Sequence, residues 1–137
     1  MKVYLAAQYS WRERIKAYAK ELEAVGVTVT SSWLRERSKP DVDIPGLQQR
    51  FLRQHAESDI ADIKAADALI LFTVAPSHRT KRGGRHVEFG MALAWGKRVV
   101  IVGPRENIFC FLPQIRQFET FRELKEFLAK EAASGNQ

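Results

Sequence analysis

The residues best suited to chemistry in this chain fall in one run, Arg82-Gly83-Gly84-Arg85-His86-Val87-Glu88-Phe89-Gly90. The run follows a continuous apolar stretch and opens a helical pattern. Two flexible glycines, three potential cations and a single carboxylate therefore meet at one strand-to-helix junction. Backbone N–H groups exposed at such a junction attract anions. Glu88, on the first turns of the helix and inside that positive field, is expected to stay ionised. An ionised carboxylate beside an anion cradle can act as a nucleophile on a sugar that carries a phosphate. Plainer readings stand beside this one. Gly83 and Gly84 can form a flexible turn that only starts a helix. Glu88 can be a first-turn acid that favours the helix dipole by ~0.3–1 kcal/mol. The spacing of a dinucleotide fingerprint is absent, and so is the Gly-Lys-Ser/Thr of a Walker loop.

A second acidic group, Asp59, Asp62 and Asp67, precedes the same apolar stretch. Asp59 and Asp62 are three residues apart and share a helix face. A solvated face shared with Lys64 accounts for Asp62, and Asp67 is expected to close the helix. Asp59 lies at an expected break near Ser58, where it can enter a crevice as a proton donor or a base-recognition group. Tyr9 and Trp33 offer planes for a nucleobase, at ~1–3 kcal/mol per stacked base. The alternative for Trp33 is a partly buried core or interface aromatic. Lys81, Arg82, Arg85 and His86 form a basic loop, fit either for a phosphate or for solvent.

Positioning these groups requires alternating strands and helices. Residues 2–7 are apolar and turn-bounded, a first strand. Ser10 is placed as a helix N-cap, with Glu13 completing a capping box. Trp11, Ile15, Tyr18, Ala19, Leu22 and Val25 then recur at helical spacing up to Gly26. Residues 27–31 are β-branched and read as a second strand. Residues 32–45 make a long connection that holds Pro40 and Pro45, and long ordered loops are often functional. Residues 46–66 form a long helical pattern, with Leu47, Phe51, Leu52, His55, Ile60 and Ile63 on its apolar side. Residues 68–74 read as a strand buried on both faces. A basic loop leads to a helix over 84–95, and residues 98–102 form the next strand. Gly103-Pro104 breaks the chain, Thr120 caps a last helix over 121–130, and residues 132–137 form a frayed tail.

This alternation predicts a single α/β domain over residues 1–131, a mostly parallel twisted sheet with helices on both faces. The architecture is that of a Rossmann- or flavodoxin-like three-layer sandwich. Ligands in such sheets sit beyond the carboxyl ends of the strands. That rule gathers Ala7, Gln8, Tyr9, Trp33, the loop leading to Glu88, and residues 103–107 around one crevice.

A chain of 137 residues, 45% hydrophobic and 28% charged, has the length for one core and the composition of an ordinary soluble globular protein. Its net charge of +6 favours anionic partners. The basic residues are spread along the chain, so nucleic-acid binding is expected to be weak and sequence-blind. Cys110 is the single cysteine; no internal disulfide can form, and a small buried hydrophobe is expected there. No apolar run approaches membrane-spanning length, and the first residues do not read as a secretory signal. These features predict a cytoplasmic protein with no membrane partner. His55, His78 and His86 are scattered, so neither a metal nor another cofactor is expected.

Three stretches carry a resemblance. They are Tyr4-Leu5-Ala6-Ala7, then Ser58-Asp59-Ile60-Ala61-Asp62-Ile63-Lys64-Ala65-Ala66-Asp67, then Gly84-Arg85-His86-Val87-Glu88-Phe89-Gly90-Met91-Ala92-Leu93-Ala94-Trp95-Gly96-Lys97. Together they resemble the nucleoside 2-deoxyribosyltransferase family, which includes relatives that hydrolyse nucleoside 5′-monophosphates. The resemblance runs from residue 2 to about residue 109, and its most specific part is the Glu-Phe-Gly block. It implies that Glu88 is a nucleophile that attacks C1′ of the sugar, expels the base and leaves a glycosyl-enzyme ester, as in a retaining glycosidase. Release by a second base makes a transferase, and release by water makes a hydrolase. It also implies that Asp59 protonates or holds the departing base and that Tyr4 orients the nucleophile. Asn107-Ile108-Phe109 resembles a segment lent to a neighbouring subunit's site, which implies a homodimer or higher homo-oligomer.

The chain also departs from the family. Arg82 stands six residues before Glu88, where the transferases carry an acid and the hydrolases a serine. His86 replaces a glycine of the hydrolase pattern, and Ala7-Gln8-Tyr9 replaces a glycine-rich turn. An arginine suits a phosphate better than a neutral hydroxyl. The expected substrate-binding residues of a small-molecule nucleoside or nucleotide are therefore Ala7, Gln8, Tyr9, Trp33, Arg82, Gly83, Gly84, Arg85, His86 and Asn107. A non-catalytic nucleotide-binding module on the same fold is the alternative.

Overall fold

Strands β1 (Lys2–Ala6), β2 (Thr28–Val29), β3 (Ala68–Phe72), β4 (Arg98–Val102) and β5 (Arg116–Phe118) form one sheet in the order β2-β1-β3-β4-β5. Every neighbouring pair is parallel. The structure is a computed structural model that describes residues 1–36, 43, 46, 48–80 and 82–135. Pro40, Pro45, Leu47 and Lys81 lie outside the described residues. Parallel neighbours need crossovers, and the helices α1 (Arg12–Ala24), α2 (Gln49–Ala65), α3 (Gly84–Ala94) and α4 (Phe121–Gly135) provide the regular part of them. Helices α1 and α4 pack together on one face, where Tyr18 stacks on Phe121 at 3.9 Å and on Phe72 at 5.6 Å. Helices α2 and α3 pack together against β1, β3 and β4. The result is the three-layer α/β sandwich that the sequence pattern implies.

Burial follows position in the sheet. All five residues of β3 are buried, as a central strand covered on both faces requires. Strands β1 and β4 flank it, each with one exposed leading residue and four buried ones. The strand order reverses direction between β1 and β3, so the connections from these two strands diverge and leave a crevice at their carboxyl ends.

Several elements differ from the sequence expectations. Strand β2 is only two residues long, and the residues after it bond through their side chains. Thr30 Oγ1 donates to Asp62 O at 2.9 Å, and Ser31 Oγ accepts from Leu5 N at 2.7 Å. Edge strand β5 was not expected at all; it is short, and only Phe118 of its three residues is buried. A 3₁₀ turn at Tyr9–Trp11 delays α1 to Arg12, and the Ser10–Glu13 capping box does not form. Glu13 instead pairs with Arg12 at 3.2 Å and Lys16 at 3.9 Å. Helix α2 runs unbroken through Ser58. Thr120 does cap α4, accepting from Glu123 N at 3.3 Å, and that helix continues through the expected tail to Gly135. Among the described residues no helix is long and apolar enough to cross a membrane.

Gly103 joins the ends of three strands. Its N–H donates to Phe118 O at 2.9 Å, and its φ of +115° lies in the region that favours glycine. A Cβ there would stand 2.5 Å from Thr73 Oγ1 and 2.8 Å from Thr73 O. Gly103→Ala should therefore cost at least ~1–3 kcal/mol in strain. Urea denaturation measures this, and an unchanged midpoint would show that the junction has room to relax.

Candidate active site

A crevice of about 770 Å³ opens beyond the carboxyl ends of β1 and β3. Its size falls within the ~300–1,000 Å³ usual for small-molecule sites. Tyr4, Asp59 and Glu88 meet inside it; Tyr9, Trp33, Glu36 and His55 form one wall; Arg82, Gly83 and Gly84 form another. A smaller hollow of about 480 Å³ between α1 and α4 is lined by Trp11, Tyr18 and Phe121 among others, and contains none of the three central groups.

Glu88 owes its place to a tight turn. Gly83 takes φ 71°, which swings the chain from the basic loop into α3. One turn further, Phe89 and Ala92 face the core and Glu88 faces β1. Tyr4 is fully buried in β1, and its hydroxyl donates to Glu88 Oε2. Loss of solvation pushes the Glu88 carboxyl up to about 8; the Tyr4 hydroxyl works against that rise, and the neighbouring Asp59 adds to it. The expectation that Glu88 stays ionised is thus overturned, because burial outweighs the helix-terminal field. Burial pushes Asp59 up to about 7 as well, helped by Glu36 and Asp62 and opposed by His55. A hydrogen bond also joins the Asp59 and Glu88 carboxyls. Asp59 Oδ1 is buried without a partner. Burial first, and the Glu88 charge second, hold the Tyr4 hydroxyl far above the usual phenol range. The two acids thus form a coupled pair that shares a proton near neutral pH.

The wall beside them is built from α2 and the 3₁₀ turn Ser32–Arg35. His55 sits four residues before Asp59, on the same helix face. Its Nδ1 lies 2.7 Å from Glu36 Oε1, and its ring meets the Phe51 ring at 4.3 Å and 81°. An Arg12 guanidinium nitrogen donates to Glu36 O. Trp33 is buried, with Nε1 donating to Leu5 O at 2.9 Å, so it is a pillar of the core as well as a wall of the crevice. Tyr9 lies 6.3 Å from it, tilted by 41°. Asp62 is not the solvated acid expected from its spacing. Its Oδ2 accepts from Ser32 N at 2.8 Å and from Ser32 Oγ at 2.6 Å, fastening the Trp33 turn to α2.

The basic loop is largely neutralised from within. Arg85 and Glu106 form a bidentate pair at 2.6 and 3.0 Å, with side chains only 4% and 3% exposed. Glu106 also receives Arg79 Nε at 2.8 Å and Val74 N at 3.1 Å. Burial works to raise the Glu106 carboxyl, but the bonds from Arg85 and Val74 overcome it and hold it below the usual range. Gln8 ties this network to β1, accepting from Thr80 N at 2.8 Å and donating to His78 O at 3.0 Å. His86 Nε2 lies 2.8 Å from Arg85 Nη1, and burial and the Arg85 charge lower its basicity.

Of the expected substrate-binding residues, Ala7, Gln8, Tyr9, Trp33, Arg82, Gly83, Gly84 and Arg85 line the crevice, and His86 and Asn107 do not. Arg85 meets the crevice, but its guanidinium is engaged by Glu106. Arg82 Nη2 lies 2.8 Å from Asp43 Oδ2. Sequence reasoning missed Glu36, His55 and Glu106. The His55–Asp59 spacing and a lone acid just beyond β4 were the available signals. Among the described residues no three His, Cys, Asp or Glu side chains are placed to hold a metal ion.

No protein-family model and no curated protein matches the chain. Solved structures do. A 2-deoxyribosyltransferase from Bacillus psychrosaccharolyticus is 21% identical with a TM-score of 0.67, over 91% of this chain and 90% of its own. The Clostridium botulinum CMP N-glycosidase BcmB is 23% identical with a TM-score of 0.60, over 93% and 98%. A conserved protein from Enterococcus faecalis V583 is 14% identical with a TM-score of 0.64, over 96% and 98%. These likenesses establish a shared fold, and the first two are proteins of the kind the sequence motifs resemble.

The coupled acids make stability depend on pH. Below about 4.5, the ordinary Glu88 value, both folded and unfolded chains hold that proton and stability is full. As pH rises toward about 8 the unfolded chain loses the proton while the folded chain keeps it, so stability falls. Glu88→Gln removes this loss. Its advantage over the unsubstituted protein should grow across that window to the order of a few kcal/mol, less any residual solvent screening. Urea midpoints measured against pH test this; parallel curves would mean that Glu88 titrates normally.

Proposed function

We propose that the protein cleaves the N-glycosidic bond of a nucleoside or its 5′-monophosphate through a covalent intermediate on Glu88. The observation that carries this reading is the Tyr4, Glu88 and Asp59 cluster inside a crevice large enough for a nucleotide. For attack, the shared proton resides on Asp59 and leaves Glu88 as the anion, oriented by the Tyr4 hydroxyl. A Glu88 oxygen bonds to C1′ as the C1′–N bond breaks, and the Asp59 proton passes to the departing base. The ester is then opened by water or by a second base, with Asp59 taking the proton back from the incoming nucleophile. Backbone N–H groups after Gly83, at the start of α3, suit a 5′-phosphate, and Arg82 adds a cation beside them. The shared fold with a 2-deoxyribosyltransferase and a CMP N-glycosidase supports the same chemistry.

The protein is further read as a homo-oligomer. Ile108, Phe109 and Phe111 are 78%, 54% and 68% exposed on a single 3₁₀ turn beside Asn107, apolar surface that a second copy would cover.

Glu88→Ala should abolish base release from every nucleoside and nucleotide that the unsubstituted protein cleaves, and mass spectrometry of the quenched reaction should find a glycosyl ester on Glu88. Full activity in Glu88→Ala would sink the mechanism, and tight binding without turnover would point to a binding module. Adding a second free base separates the outcomes of transfer and hydrolysis: a new nucleoside means the first, free sugar or sugar phosphate the second. Sedimentation velocity should find a multimer that Ile108→Ser weakens; a monomer at assay concentrations removes the oligomer.

A further inference from the structure

We propose that His55, held by Glu36, reads the departing base, and that the base it reads carries an exocyclic amino group. This rests on the N-glycosidic reading above and names its substrate class.

The placement follows from where the sugar must sit. Attack at C1′ puts the sugar against Glu88 and Asp59. The start of α3, with Gly83, Gly84 and Arg82, suits the anionic end of the substrate. The base is then left with the opposite wall, which is α2 and the Trp33 turn. Along α2, the crevice-lining residue one helical turn before Asp59 that carries a polar side chain is His55. Its side chain is only 16% exposed, and so is well placed to exclude water from a bound ring.

Chemistry then sets the polarity of the contact. Nδ1 of His55 lies 2.7 Å from a Glu36 carboxylate oxygen, which accepts the Nδ1–H. In the neutral imidazole this fixes the tautomer and leaves Nε2 as an acceptor. Asp59 Oδ1, on the same helix face, is a buried oxygen without a partner and offers a second acceptor. Two acceptors on one wall call for donors from the ligand. An exocyclic amino group supplies two N–H bonds; an oxo group at that place would oppose lone pairs to lone pairs and leave buried groups unpaired. Sites that bond a substrate N–H or O–H reject analogues lacking it far more strongly than apolar pockets do. Glu36 acts through His55, as a positioning residue, and the Arg12 bond to its backbone oxygen anchors it.

The test compares two pairs of 2′-deoxynucleoside 5′-monophosphates, cytosine against uracil and adenine against hypoxanthine, in mildly alkaline buffer. Two readouts are taken: kcat/KM for base release, and dissociation constants measured in the Glu88→Gln background. The amino member of at least one pair should be favoured by about tenfold or more in both. His55→Ala should bring that ratio close to one, mainly through KM. His55→Gln, which keeps an acceptor, should retain part of it, and Glu36→Gln should move it in the same direction by less. A ratio unchanged in folded His55→Ala and His55→Gln, or a preference for the oxo member, overturns the proposal. If none of the four substrates is cleaved, the N-glycosidic reading fails, while the binding ratios still decide what His55 does.

Discussion

Two partly buried carboxyls held against each other, with a tyrosine hydroxyl on one of them, set the terms for the rest of this structure. Burying one ionised acid is costly, and burying two side by side would be prohibitive. One shared proton makes the pair tolerable. That arrangement needs three elements at fixed separations: β1 for Tyr4, α2 for Asp59 and α3 for Glu88. The packing supplies this rigidity. Lys97 Nζ donates to Lys64 O and to Ala66 O, both at 2.8 Å, closing the end of α2 against the start of β4. Asp62 holds the Trp33 turn to the same helix.

The charges are sorted by function. Glu106 collects Arg79 and Arg85 at the far side of the basic loop, and Gln8 joins them to the end of β1. This network fixes the loop that leads into α3 and removes strong positive charge from its interior. The field left at the start of α3 is that of the helix itself. The acidic wall on α2 stands opposite. A net charge of +6 therefore says little about the crevice, whose two walls differ in sign.

Local pattern revealed the elements with strong periodicity. Strand β4 falls at the expected residues, and α3 ends within one residue of expectation, because a buried apolar run and a glycine stop leave little choice. Pattern could not reveal features decided by distant partners. Strand β5 exists because β4 has an open edge, with little apolar signal of its own. Asp62 looked like a solvated acid because its partner, Ser32, is 30 residues away in sequence. Glu36 and His55 are separated by a long connection, so only the fold brings them together. Glu88 was legible as a candidate through its place in the run, while its protonation state was not. Helix position argues for ionisation, and only the three-dimensional surroundings show the burial that wins. The resemblance to a family located the acids, and the structure placed them in one crevice.

The bond between Tyr4 and Glu88 spans 84 residues of chain. Tyr4 on β1 and Glu88 on α3 can meet only once the elements between them in the chain are in place. Central strand β3 must already lie between β1 and β4, since a parallel sheet in this order cannot seat α3 without it. The site therefore depends on contacts of long sequence separation, which are slow to form. Until α3 is seated, Tyr4 and Asp59 have no Glu88 opposite them.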